Sequence, residues 1–172
     1  MELRDYQKKC INKINIHFKK KDSGLIVIPT GGGKTVIFAD FVKNSSALII
    51  SHREELINQA KEKIELISGR TCGVIGKNTF QTQHRFISAS IQSLSRMTDV
   101  DKFHAVVKNM KYVIIDEAHH VSAPTYRVVL HKIKKLNPKI KILGVTATPF
   151  RGDECDIQEV LGDVIYAIDI KE

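Results

Sequence analysis

The chain has 172 residues, 42% of them hydrophobic, with a formal net charge of +8. That length holds one compact α/β unit with a real core, and the composition is ordinary for a globular protein. No apolar run is long enough to cross a bilayer, the start Met1-Glu2-Leu3-Arg4-Asp5 lacks the apolar core of a secretory signal, and the excess of lysine and arginine favours an anionic partner, nucleic acid first.

Three cysteines, Cys10, Cys72 and Cys155, lie far apart with no metal-like pairing. They suit a reducing compartment, and a cytoplasmic location is expected.

In chain order, apolar spacing at Tyr6, Cys10, Ile14 and Phe18 predicts a helix over residues 5–21, stopped by Asp22-Ser23-Gly24. Gln7 in its first turn carries an amide able to pair with adenine through one donor and one acceptor, though a surface glutamine needs no function. Residues 25–29 form a buried apolar strand. Pro29-Thr30-Gly31-Gly32-Gly33-Lys34-Thr35 follows, and then a helix from Lys34 to about Val42. A glycine turn between a strand and a helix points backbone N–H groups into a concave phosphate site. Lys34 then reaches the β- and γ-phosphates, and the Thr35 hydroxyl ligates Mg²⁺. The strict phosphate-loop pattern has glycine where this chain has Ile28, so the loop is a variant.

Ala47–Ile50 reads as a second buried strand. Ser51 is placed to cap the next helix, with Glu54 three residues on as in a capping box. That helix runs to Ser68-Gly69. Cys72–Gly76 is a third strand, residues 77–85 a polar loop, and Phe86–Ser90 a fourth strand leading into Ile91-Gln92-Ser93. A helical piece spans Val100–Met110. Tyr112–Ile115 is a fifth buried strand that ends in Asp116-Glu117-Ala118-His119-His120.

Two adjacent carboxylates after four apolar residues are costly unless a charge offsets them, and Mg²⁺ would do so. Asp116 is placed to hold the metal and Glu117 to activate the attacking water. Adjacent histidines on a turn point apart, and no cysteine or third histidine lies near in sequence, so zinc is rejected. Pro124–Leu136 is a further helix, Ile140–Val145 a sixth strand ending in Thr146-Ala147-Thr148-Pro149, and residues 157–161 and 164–168 a short helix and an edge strand.

Strands alternating with helices predict an α/β fold, a mostly parallel sheet with helices on both faces. Each polar motif lies at the carboxyl end of an apolar run, where such sheets gather their chemistry.

Pro29–Thr35, Asp116-Glu117-Ala118-His119 and Thr146-Ala147-Thr148-Pro149 resemble motifs I, II and III of the superfamily 2 helicases, in the DEAH-spelled group. Leu3–Gln7 resembles their adenine-reading glutamine motif, and Ser51–Leu56 resembles motif Ia. Ser88–Leu94 resembles a later motif that touches the nucleic acid backbone. The style is similar to that of bacterial, phage and restriction-type DNA translocases and repair helicases.

The resemblance implies one RecA-like P-loop domain over residues 1–172, with ATP and Mg²⁺ as cofactors. Gln7 reads adenine with Arg4 beside it, and Thr30, Gly31, Gly32, Gly33, Lys34 and Thr35 hold phosphate. Thr35 and Asp116 hold the metal, and Lys34, Asp116 and Glu117 carry the chemistry. Arg53, Ser90 and Gln92 touch strand phosphates, with DNA favoured over RNA, and His119, Thr146 and Thr148 couple the two sites. Arg53 as a first-turn helix residue, Gln92 as a cap partner and Thr146 and Thr148 as turn hydroxyls stay open as plainer readings.

The same resemblance calls for a second RecA-like domain, in cis or in trans, to supply arginine fingers. A kinase on the same loop, or a basic nucleic-acid-binding module with a vestigial nucleotide site, are the competing readings.

Overall fold

The computed structural model describes residues 1–147 and 154–168. Seven strands form one sheet: β1 Ser23–Val27, β2 Ala47–Ser51, β3 Cys72–Ile75, β4 Phe86–Ser90, β5 Tyr112–Asp116, β6 Lys141–Thr146 and β7 Val164–Ala167. Their order is β3-β4-β2-β5-β6-β1-β7, and every pairing is parallel. The helices are α1 Asp5–His17, α2 Lys34–Val42, α3 Glu54–Ser68, α4 Ile91–Arg96, α5 Val100–Val107, α6 Pro124–Leu136 and α7 Glu154–Leu161.

The strands read as continuous apolar runs because both faces are covered. Successive side chains alternate between two cores. Leu48, Ile50, Val113 and Ile115 join the core shared with α4, α5, α6 and α7. Ala47, Ile49, Tyr112 and Ile114 join the core shared with α1, α2 and α3. Among the described residues, no helix is long and apolar enough to cross a membrane.

Several boundaries differ from the sequence reading: the helix expected over Val100–Met110 ends at Val107, β3 ends at Ile75, β5 extends to Asp116, and β6 is shifted to Lys141–Thr146. The first helix stops at His17, and Lys19 and Lys20 donate backbone bonds to Ile16 and His17 in a tighter turn. Three successive lysines have no apolar partner to hold them helical. β1 starts at Ser23 rather than Leu25, because Ser23 already pairs with Ile142. Ser51 does not cap α3. It ends β2 fully buried, and Arg53 takes the cap position with no side-chain cap bond. β7 lies at the sheet edge as expected, parallel to β1 with a register irregularity between Leu25 and Ile26.

Candidate nucleotide site and adjoining groove

The parallel sheet brings the carboxyl ends of β1, β2, β4, β5 and β6 to one edge. The loop after β1 needs two left-handed residues, Gly31 (φ 84°) and Gly33 (φ 79°), which glycine adopts without steric cost. Gly33 caps α2, so the loop amides and the α2 N-terminus share one direction.

Lys34 crosses from this loop to the end of β5, with its Nζ 3.4 Å from Glu117 Oε1. The glycine loop and the carboxylate pair are therefore one site. Thr30 is exposed beside them. Thr35 sits in the first turn of α2 and also borders a hollow of about 370 Å³ against Gln59 and Glu62 of α3.

Asp116 is 4% exposed and accepts a hydrogen bond from the Glu117 amide at its Oδ1, 2.9 Å. Burial pushes its carboxyl above the usual range, against the pull of Lys34. Glu117 is the one non-glycine residue of the described chain with positive φ, at 55°. Holding that conformation costs about 1–3 kcal/mol and marks a site built for a purpose. His119 lies within reach of both sides: its Nδ1 is 3.5 Å from Glu117 Oε2 and 3.1 Å from Thr146 Oγ1.

Asp116, a buried carboxylate, and Thr35, a hydroxyl in the first turn of α2, are hard-oxygen groups of the kind Mg²⁺ takes. The charge of a cation would relieve the unfavourable burial of Asp116.

The expected adenine reader is occupied at both ends. Gln7 Oε1 accepts from the Arg4 amide (2.9 Å), and its Nε2 donates to the Gly32 carbonyl (3.4 Å). Arg4 instead turns its guanidinium toward the Tyr6 hydroxyl, 3.5 Å away. Tyr6, expected only as part of the apolar stripe of α1, donates its hydroxyl to the same Gly32 carbonyl at 2.5 Å. Two side chains of α1 thus clamp the phosphate loop.

Next to this site, a groove of about 730 Å³ is lined by His52, Lys77, Ser90, Gln92 and Arg96, among others. The Ser90 hydroxyl donates to Gln92 Oε1 (2.8 Å) and accepts from the Ser93 amide, and Gln92 Nε2 donates to the His52 carbonyl (3.3 Å). Arg53 is not in this groove. It lines a neighbouring hollow with Glu54, Glu55 and Asn58. Lys77 and Arg96 were missed, since they belong to a loop and a helix end with no motif.

The two adjacent histidines do not point apart. The ring centroids of His119 and His120 are 4.2 Å apart, and His52 meets His120 at 4.2 Å from the end of β2. The tight 3-10 turn Ala118–His120 brings His119 and His120 together with their ring planes tilted by 44°. A ladder of three imidazoles therefore runs from the groove to Glu117. Burial first, then His120 and Arg53, hold His52 below the usual imidazole range. Thr148 lies outside the described residues.

A parallel sheet with a glycine loop after β1, a carboxylate pair after β5 and a threonine after β6 defines a RecA-like P-loop domain of the superfamily 2 helicase type. The chain belongs to the family described as "Type III restriction enzyme, res subunit", which matches residues 1–151. IRC3 of Saccharomyces cerevisiae is 32% identical over 186 residues, covering 95% of this chain and 26% of IRC3. "DNA 3'-5' translocase XPB2" of Sulfurisphaera tokodaii is 28% identical over 177 residues, covering 100% of this chain and 37% of the relative. Among solved structures, the "DUF1998 helicase MrfA" superposes with a TM-score of 0.70 at 18% identity, over 98% of this chain and 30% of MrfA, and so shares the fold. The chain thus spans 26% to 37% of the length of these proteins.

Proposed function

We propose that the chain is the nucleotide-binding half of an ATP-driven helicase or translocase acting on nucleic acid, with DNA favoured over RNA. The observation that carries this is the Lys34–Glu117 contact, which joins the phosphate loop to the carboxylate pair in one site.

The glycine-loop amides and the α2 N-terminus receive the phosphates. Lys34 leaves Glu117 for the β- and γ-phosphate oxygens, and this frees Glu117 to orient and deprotonate the attacking water. His119, which also meets the Thr146 hydroxyl, holds Glu117 from the other side. Mg²⁺, held by Asp116 and Thr35, would supply charge stabilisation to the phosphates. The groove beside His52 takes strand phosphates through Lys77 and Arg96, with the Ser90–Gln92 pair turned toward them. A second RecA-like domain, in cis or in trans, completes the cleft and supplies the arginines of fast hydrolysis. A DNA substrate is supported by the named activity of XPB2, while the +8 charge suits nucleic acid of either kind.

The test is calorimetric ATP binding with Mg²⁺, for wild type and Lys34→Ala, with and without single-stranded DNA or RNA. Binding lost in Lys34→Ala and strengthened by DNA is the expected result. A Lys34→Ala protein that binds ATP as well as wild type overturns the assignment.

A further inference from the structure

Phe80 is the one exposed phenylalanine among the described residues, at 43%, and the one apolar side chain between residues 77 and 85. A lone exposed apolar residue is ordinary, since much of any protein surface is apolar. Three observations set this ring apart.

Its backbone is held. Phe80 pairs with Ile75 in an antiparallel bridge, the Gly76 amide donates to the Thr79 carbonyl (2.9 Å), and the Gln81 amide donates to the Val74 carbonyl (3.0 Å). The end of β3 and the stretch expected as a polar loop thus make a small hairpin, at the sheet edge where the other strands end in their polar motifs. Its surroundings are cationic. The ring borders a hollow of about 320 Å³ whose lining includes Ile75, Met97, Lys77, Arg96 and Lys102 and no carboxylate, and Lys102 Nζ lies over the ring, 4.8 Å from its centroid. The hollow is also continuous with the groove beside His52, because Lys77, Asn78, Ser93 and Arg96 line both. A flat apolar face among cations suits a ligand that is itself a flat ring carrying negative charge, a nucleobase on its sugar-phosphate.

We infer that Phe80 stacks a base of a single strand whose phosphates run along Lys77 and Arg96, with Lys102 turning from the ring to the adjoining phosphate. The inference deepens the nucleic-acid reading above and rests on it. Bases of a duplex are already stacked on one another, so the ring selects an unpaired strand. Every base has a π-face, so the contact reads strandedness and not sequence.

The experiment follows fluorescence anisotropy of labelled single-stranded DNA with wild type, Phe80→Ala, Phe80→Leu and Phe80→Trp. Each protein is titrated against an oligothymidylate and against an abasic oligonucleotide of equal length, which keeps the phosphates and lacks the bases. The expected result is that alanine and leucine weaken binding of the oligothymidylate about ten-fold, that tryptophan keeps it, and that all four proteins bind the abasic strand alike. Stacking releases no counterions, so Phe80→Ala keeps the wild-type salt slope. Leucine fills the space without a π-face, so wild-type affinity in Phe80→Leu overturns the inference. An equal loss on both strands also overturns it, because a ring that only holds the hairpin acts without regard to bases. An oligothymidylate that wild type does not bind overturns it too. Lys77→Gln, run alongside, reports on the groove separately: a lower salt slope there, beside unchanged affinity in Phe80→Ala, removes the stacking and leaves the groove. ATP binding, read through Lys34→Ala, is independent of both.

Discussion

The Lys34 ammonium and the Glu117 carboxylate meet at 3.4 Å across 83 residues of chain. Each is the other's partner until phosphate arrives. Their side chains are 17% and 26% exposed, so the pair contributes at most about 1 kcal/mol to stability. Lys34→Ala should therefore shift the thermal midpoint little and abolish ATP binding, while Glu117→Gln keeps it. Thermal unfolding and calorimetry on the same samples check both halves.

Asp116→Asn should stabilise the empty protein. Burial raises the folded-state pKa of Asp116 above its ordinary 3.8, so the folded form binds the proton more tightly. Below pH 3.8 both states are protonated and the residue costs nothing. As pH rises through the raised value the penalty grows, and it is complete above it. The advantage of Asp116→Asn over wild type, measured by denaturant unfolding, should thus increase with pH and level off. An advantage that shrinks as pH rises would contradict the burial argument.

His52 has the opposite sign. Its folded pKa lies below the ordinary 6.5, so the unfolded state takes up the proton first. Stability from the neutral ring is full at pH 7.5 and is lost as pH falls below 6.5. Nuclear magnetic resonance should show His52 titrating below 6.5. Between pH 7.5 and 5.5, wild type should lose more stability than His52→Gln.

Lys77→Gln and Arg96→Gln should weaken binding of a single-stranded oligonucleotide. If each contacts one phosphate, each should also lower the slope of log affinity against log salt by about 0.7. Fluorescence anisotropy at four salt concentrations reads both. An unchanged slope would place the strand elsewhere on the surface.

Gly144 in β6 lies under the carboxylate motif. A Cβ there would press on the Leu161 side chain and approach Ala118 Cβ to 2.9 Å. Gly144→Ala should cost about 1–3 kcal/mol by overpacking, seen in denaturant unfolding. Through Ala118 it should weaken ATP binding as well.

Much of this was legible in the residues. Four or five apolar residues in a row bounded by polar turns marked the buried strands, because a strand covered on both faces has no polar side to alternate with. Helix α6 was bounded correctly, since Pro124 suits a first turn and Asn137-Pro138 ends it. The glycine loop and the carboxylate pair carry their chemistry in local order, so spacing alone exposed them. The Ser51 cap failed because the ladder from β2 to β4 claimed that residue: Ser51 pairs with Ser90. A sheet partner 39 positions away outweighed a local cap pattern.

The sequence by itself determined the class of fold, the phosphate loop and the carboxylates. The tertiary structure alone decided who their neighbours are. Setting β2 beside β5 laid His52 against His120. Tyr6 of α1 reached the Gly32 carbonyl in the same way. Such contacts join residues from distant elements. They follow from strand order and helix packing, which no local spacing of residues encodes.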